Sequence, residues 1–338
     1  MNPKHLTPLA VLAAVSVVAT AVTLHTGTPT IASDRRGEPV LPQVLAKGND
    51  ITAVSIRDGN GTLTLERRGN HFVAADSGYP VKTDTIRDLV SSSATLAFEE
   101  SRTDDPQRYG DLGLADPAAK DAKDAGREIA FRTAAGELGD FVVGKPDATT
   151  GGLGGGVFVR IKNEPQTFLA RGSVRVPTSR SEWFVPFDLD VKRNEVTKVV
   201  VTGGGRDDVT ATAAPGKPLQ LESVPETRKQ EDFKVSRLAS IVDGFTFQDV
   251  RKSTEGAGDS RHMIVYRGDD LRLTFTSIGS PGDGWVRIAV KATGDSAADT
   301  AKLIESKVDG WDFKLPTNLM EVFGWTVTDL TSEQKDKG

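Results

Sequence analysis

Two stretches of the chain echo each other, and that echo limits the fold more than any other feature. Val196-Thr197-Lys198-Val199-Val200-Val201 resembles Ile51-Thr52-Ala53-Val54-Ser55-Ile56. Further on, Phe233-Lys234-Val235-Ser236-Arg237-Leu238-Ala239-Ser240-Ile241-Val242 echoes Val81-Lys82-Thr83-Asp84-Thr85-Ile86-Arg87-Asp88-Leu89-Val90. Phe245-Thr246-Phe247-Gln248-Asp249 then matches Leu96-Ala97-Phe98-Glu99-Glu100. An offset of roughly 145 to 152 residues is too long for a solenoid repeat. It reads as two copies of a strand–strand–helix–strand unit, against the alternative of coincident α+β patterning. At 338 residues the chain is long enough for about two domains.

The local signals fit that plan. Asp58-Gly59-Asn60-Gly61 is a hairpin-turn cluster between Ile51, Val54, Ile56 and Leu63, Leu65. Arg67-Arg68-Gly69-Asn70 supplies a second turn before Phe72 and Val73. The period then changes, and Ile86, Leu89 and Val90 predict a helix over 83–94 with Thr85 as N-cap. Strands are predicted over 129–132, 139–143, 157–161 and 166–170, then over 263–267, 271–277 and 285–291. Gly203-Gly204-Gly205 reads as a turn. Ser296 caps a last helix whose stripe is Ala297, Ala301, Ile304 and Val308.

The expected fold class is α+β. Two related lobes of mainly antiparallel sheet, each with a packed helix, follow an N-terminal transmembrane helix. The helices near 83–94 and 235–244 are expected in equivalent places, with Ile86, Leu89, Val90, Leu238, Ile241 and Val242 buried. The boundaries are 1–30 for a signal anchor, 31–50 for a linker, 51–190 and 191–330 for the lobes, and 331–338 for a polar tail.

Residues 6–24 carry no charge and follow Lys4. As a helix they would span about 28 Å, close to the roughly 30 Å hydrocarbon core. An uncleaved anchor is the preferred reading; a signal peptide cleaved after Ala19-Thr20-Ala21 or Thr30-Ile31-Ala32 is the other. Lys4 and the α-amine keep the amino terminus cytoplasmic, which places the rest of the chain in the periplasm as a single-pass inner-membrane protein.

Several segments, taken in order, carry a resemblance. They are Tyr109-Gly110-Asp111-Leu112-Gly113-Leu114-Ala115-Asp116-Pro117, Phe141-Val142-Val143-Gly144-Lys145-Pro146, Ser181-Glu182-Trp183-Phe184 and Gly310-Trp311-Asp312-Phe313-Lys314-Leu315-Pro316. Together the set resembles the bacterial domain-of-unknown-function 4340 family over most of residues 45 to 330. The glycine run Gly151–Gly156 departs from that pattern. The resemblance implies a membrane-anchored envelope protein, often accompanying ABC-type transporter components of the gliding-motility kind. It implies no catalytic residues.

Composition closes off several chemistries. The chain has no Cys, which removes thiolate catalysis, thiolate metal sites and disulfides. Four His and a net charge of −5 argue against a His-built metal centre and a nucleic-acid footprint. Gly139-Asp140-Phe141-Val142-Val143-Gly144-Lys145-Pro146 comes within one residue of a phosphate-binding loop. Its Phe-Val-Val prefers a strand, however, and Pro146 removes the hydroxyl and an N–H. It reads as a strand ending in a Gly-Lys-Pro turn.

The acidic pairs Glu99-Glu100, Asp104-Asp105, Asp207-Asp208 and Asp269-Asp270 read as strand neighbours or solvated turns, because adjacent strand residues point to opposite faces. Asp116, Asp121 and Asp124 lack the spacing of a calcium loop. His71 and His262 flank strands, and Trp183, Trp285, Trp311 and Trp325 read as packing. No catalytic, cofactor-binding or metal residue is assigned, and no cofactor.

The functional expectation is a non-enzymatic accessory or scaffold protein. Its partners would be inner-membrane transporter or envelope components, with the membrane engaged through the N-terminal helix and no nucleic acid. The alternative is an exported binding module holding a glycan, lipid or peptide between its lobes.

Overall fold

A computed structural model describes residues 34–334 except 119–123, 148–154, 215, 255–259 and 281. The expected membrane helix at 6–24 and most of the Gly151–Gly156 run lie outside the described residues. No helix among the described residues is long and apolar enough to cross a membrane.

The strands in chain order are β1 Ala53–Asp58, β2 Gly61–Arg68, β3 His71–Ala74, β4 Pro80–Val81, β5 Ala97–Ser101, β6 Arg127–Thr133, β7 Gly136–Asp147, β8 Gly156–Ile161 and β9 Thr167–Arg171. There follow β10 Val196–Gly203, β11 Val209–Thr212, β12 Gln220–Leu221, β13 Arg228–Gln230, β14 Asp249–Lys252, β15 Arg261–Arg267, β16 Leu271–Ile278, β17 Trp285–Ala292, β18 Trp311–Lys314 and β19 Thr331–Glu333. The helices are α1 Pro42–Lys47, α2 Thr83–Ala94, α3 Asp232–Arg237, α4 Ala298–Val308 and α5 Thr317–Gly324. The class is α+β, dominated by two large sheets.

The first sheet runs β4-β3-β2-β1-β6-β7-β8-β9-β5 and the second β12-β11-β10-β15-β16-β17-β18-β14, while β13 pairs with β19. With β4 set aside, the two orders are the same: each strand of the first sheet has a counterpart in the second at the same place in chain and sheet. Along the chain α2 precedes β5, and α3 precedes the corresponding β14. The long central strands pair antiparallel, as hairpin connections require. Asp58 Oδ1 accepts from the Asn60 N–H at 2.8 Å in the first hairpin turn, which is how an Asx residue sets a tight reversal.

By contacts the described chain divides into two units. One comprises the residues up to Ile51 with Ser55–Thr62 and Leu89–Arg175; the other comprises Thr52–Val54, Leu63–Asp88 and the residues from Val176 on.

In the first unit both faces of the central strands are covered. Ile129, Phe131, Phe141 and Val159 are buried on one side, where Leu41 and Val44 at α1 close over Gly139 of β7. Val142 and Asp140, on the opposite side of the same strand, are buried as well. In the second unit the strands alternate strictly. Val199, Val201, Met263, Val265, Leu273, Phe275, Val286 and Ile288 are buried, and the residues between them are half-buried or exposed. Helix α4 packs on β17 through Ala301, Ile304 and Val308.

Helix α2 has the expected bounds, but Thr85 lies inside it rather than at its cap. Ile86 and Leu89 are buried, as is Ser93 one turn on, while Val90 is only half-buried, because the stripe is narrow and centred on Leu89. The second helix is shorter than expected. α3 stops at Arg237, and 238–244 form turns whose N–H groups reach three residues back, as in Leu238 N–H to Val235 O at 3.1 Å. Leu238, Ile241 and Val242 are nevertheless buried. Phe233, which stands opposite Val81 in the echo, is 78% exposed, whereas Val81 is buried. Ser296 does not cap α4: its hydroxyl donates to Asp270 Oδ2 at 3.1 Å, and the helix follows a 3-10 turn over Asp295–Ala297.

Leu89→Ala and Ile241→Ala should each lower unfolding free energy by about 2–5 kcal/mol, since both side chains are enclosed. Val90→Ala should cost clearly less. Urea melts of the three variants compare them directly; equal losses at Leu89 and Val90 would contradict the narrow stripe.

Candidate functional site

In the first unit the Tyr109-to-Pro117 and Phe141-to-Pro146 segments form one packed element. Asp105 opens a 3-10 helix over Pro106–Leu112 by accepting from the Gln107 N–H at 3.0 Å. Gly113 closes it in the left-handed region (φ +67°), and its N–H donates to Gly110 O. The Lys145 ammonium donates to Gly110 O and Asp111 O, each at 3.4 Å, and pairs with Asp124 at 3.3 Å. A lysine thus places its charge on carbonyls at the helix end, where a cation is favoured.

Tyr109, Leu114 and Val142 pack together, with Leu112 and Phe158 against them. The Tyr109 hydroxyl donates to Pro165 O at 2.5 Å, and the Arg160 guanidinium lies 4.8 Å from the Tyr109 ring centre. Gly144 is required by contact, since a Cβ there would overlap the Leu112 carbonyl. Gly144-Lys145-Pro146 does not end the strand, because β7 continues to Asp147 through a register shift between Val143 and Pro146.

An ionic group that the sequence reading did not single out lies on the same sheet. Lys162 Nζ donates to Asp140 Oδ2 and to Glu128 Oε1, both at 2.6 Å, and Arg57 approaches Glu128 at 3.7 Å. Burial pushes the Asp140 carboxyl up, and the Lys162 hydrogen bond opposes that shift. The bonds to Asp140 and Glu128 hold the Lys162 ammonium above its usual value. Nothing in the sequence around Asp140 signals that Lys162 faces it.

In the second unit the remaining motif residues also serve packing and charge pairing. Trp311 Nε1 donates to Ser77 O at 3.0 Å, and its ring meets Tyr79 edge-on at 5.1 Å. Tyr79 also contacts Phe184, Phe247 and Phe313 edge to face, and burial raises its phenol well above the ordinary value. Its hydroxyl donates to Val185 O at 3.0 Å.

Asp312 is fully buried. Its carboxylate accepts from Arg287 Nε at 2.8 Å and from the Ser253 hydroxyl at 3.0 Å, with Arg251 at 3.5 Å. Arg180 joins Asp249 and Asp76, each at 2.9 Å. Glu182 closes a capping box, with Ser179 N–H, Ser179 Oγ and Thr178 Oγ1 donating to it at 3.0, 2.8 and 3.0 Å.

Arg261 is the most enclosed cation, 7% exposed. Its guanidinium donates to five carbonyls: Phe323 at 2.9 Å, Gly203 at 2.8 Å, Arg206 at 3.2 Å, Asp207 at 3.0 Å and Trp325 at 3.2 Å. Desolvation lowers its proton affinity.

The acidic pairs stay apart. Glu99 meets Arg36 and Arg171, Glu100 meets Arg102, and Asp104 and Asp105 lie in an exposed loop. Asp207 and Asp208 are exposed, with the Asp207 carbonyl given to Arg261. Asp269 and Asp270 form a turn, with Asp270 3.4 Å from Arg267. Asp116 accepts from the Ala118 N–H at 2.8 Å, and Asp121 lies outside the described residues. His71 is exposed; His262 Nδ1 shares a 3.0 Å hydrogen bond with Thr276.

The tryptophans take separate surroundings: Trp183 is buried, Trp285 lies under Arg251 and Trp325 under Arg237. Among the described residues no three His, Asp or Glu side chains converge as a metal site would need.

These features define an α+β protein of two like-ordered antiparallel sheets, with its distinctive residues committed to turns, caps and buried pairs. The family model described as "Domain of unknown function (DUF4340)" matches residues 72–261, more than half of the chain, and the protein belongs to that family. The match takes in Tyr109, Gly144 and Trp183 and stops short of Gly310-to-Pro316. No curated protein and no solved structure matches the chain.

Two outcomes follow from these contacts. Arg261→Met leaves five carbonyls without their donor and should destabilise by about 3–5 kcal/mol in urea denaturation. A loss under about 1 kcal/mol would show that water replaces the guanidinium. The hydrogen bonds from Ser179 and Thr178 hold the Glu182 carboxyl below its ordinary value. Its contribution is therefore present above the ordinary value of 4.5 and lost as pH falls through the lower folded value. Glu182→Gln should melt earlier than the parent at pH 7, and the gap should narrow as pH falls below 4.5; a gap independent of pH would refute this.

Proposed function

We propose that the protein is a non-enzymatic, membrane-anchored accessory or scaffold subunit of an ABC-type transport or envelope assembly system. Residues 6–24 anchor it in the bacterial inner membrane, and the α+β body stands in the periplasm. The observation that carries this reading is the use made of the motif residues. Tyr109, Gly144, Lys145, Trp311 and Asp312 are each engaged in closing a turn, capping carbonyls or balancing a buried charge. Such residues preserve a shape, and a preserved shape is what a docking subunit presents.

The two halves are, on this reading, copies of one unit, each with its helix against its own sheet. The shared strand order supports the duplication.

In-cell crosslinking of the full chain followed by mass spectrometry tests the role. An inner-membrane permease or envelope component recovered in stable association is expected, and membrane fractions yielding the protein free of any such component would refute it. Amino-terminal sequencing of membrane-extracted protein should begin at residue 1; a start at Val22 or Ser33 would refute the anchor.

A further inference from the structure

The two sheets differ in how their second side is treated. In the first sheet the connection between β5 and β6, residues 102–126, carries Tyr109, Leu112 and Leu114 onto Val142 and Phe158. The corresponding connection between β14 and β15 is only residues 253–260. On β10, β15, β16 and β17 the side away from the core is half-buried or exposed except at Ile278, the last residue of β16.

Two rows of side chains cross that open side in register. Val200, Ile264, Thr274 and Ala289 stand opposite one another and form a row that is apolar but for the Thr274 hydroxyl. Beside it run Lys198, Tyr266, Arg272 and Lys291. Arg272 and Lys291 are direct cross-strand partners, so two like charges face each other. Neighbouring strands place opposed side chains about 5 Å apart, and like charges there destabilise the sheet. Lys198 has Glu222 at 3.8 Å. Asp312 and Asp249, also on that side, are held by Arg251 and Arg287 and by Arg180. Among the described residues neither Arg272 nor Lys291 has an acidic partner, and Arg272 Nε is enclosed without a hydrogen bond.

We propose that this side of the second sheet binds an acidic peptide segment of a partner protein. The ligand lays apolar side chains along the Val200 row and carboxylates against Arg272 and Lys291. The chain supplies a probe of that composition: residues 103–117 combine four Asp and one Arg with Tyr109, Leu112 and Leu114, the side chains that pack on the first sheet. An acidic, Tyr- and Leu-bearing segment relieves the Arg272–Lys291 repulsion and removes apolar surface from water together. The inference deepens the scaffold reading and rests on it. Peptide binding by purified protein is read separately from crosslinking in cells, so either can fail alone.

The test uses the full chain and a fluorescent peptide of sequence 103–117 in anisotropy titrations. Three further probes are a scrambled peptide, a peptide with its four Asp changed to Asn, and phosphatidylglycerol vesicles. Saturable binding is expected, weakened at least about tenfold by the double variant Arg272→Gln/Lys291→Gln and by higher salt. Because that variant removes a like-charge pair, its melting temperature should equal or exceed the parent's, so lost binding is not lost folding. Absence of saturable binding overturns the proposal, as does binding indifferent to the double variant or to the Asp-to-Asn change. Tight vesicle binding with the same Arg272 and Lys291 dependence and no peptide binding assigns the face to lipid and overturns it too.

Discussion

Seventeen strands in two sheets present four faces to be covered, and the described chain has five helices of at most 12 residues with which to cover them. Apolar surface left in water costs roughly 25 cal/mol per Å². Loops, short turns and aromatic clusters therefore do work that helices do in most α+β proteins. The Tyr109 segment is one such cover. The Tyr79, Phe184 and Phe247 cluster, packed with Phe313 of β18 and with edge-to-face contacts at 5.7–5.9 Å around Tyr79, is another, built mostly from irregular chain. Irregular covers need fixed ends, and in the Tyr109 segment Asp105, Gly113 and Lys145 fix them.

Fixing those ends places charges in enclosed surroundings. Arg261 takes carbonyls from the turn after β10 and from the end of α5, so one guanidinium holds two irregular stretches against β15. No carboxylate among the described residues accepts from it, and its planar five-donor fork suits carbonyls pointing in several directions. Asp312 is the reverse case, an enclosed anion met by Arg287 and Arg251. In both, loss of one member exposes the rest to a desolvation cost with nothing to offset it. These are arrangements that specify geometry, and they account for charged residues within segments that the fold puts to structural use.

Much of the fold was legible because its signals are local. Glycine-rich turns, alternating strands and the Leu89-centred stripe each depend on neighbours in sequence, and α2 begins and ends where periodicity put it. The two antiparallel sheets were legible for the same reason, since similar local signals recur along the chain and the strand orders agree. The second helix was less legible. Val235, Leu238 and Ile241 fit a helical stripe equally well when the chain turns three residues at a time, and Gly244 in the left-handed region brings it to an end. Arg261 escaped notice because backbone carbonyls have no residue type. The Asp140, Lys162 and Glu128 group escaped because its members come from three separate stretches of chain.

The two sheets share a strand order but not a cover. One sheet has its second side closed by a long connection of its own, and is stable on both sides. The other has a short connection, and keeps Arg272 and Lys291 opposed across two strands at a standing electrostatic cost. A protein selected for stability alone would replace one of them with threonine, which suits a strand and adds no charge. Retention of an avoidable repulsion beside an apolar row is the pattern left when a surface is kept for something outside the chain. The same strand order thus carries one sheet with a cover of its own and one whose second side is left largely open.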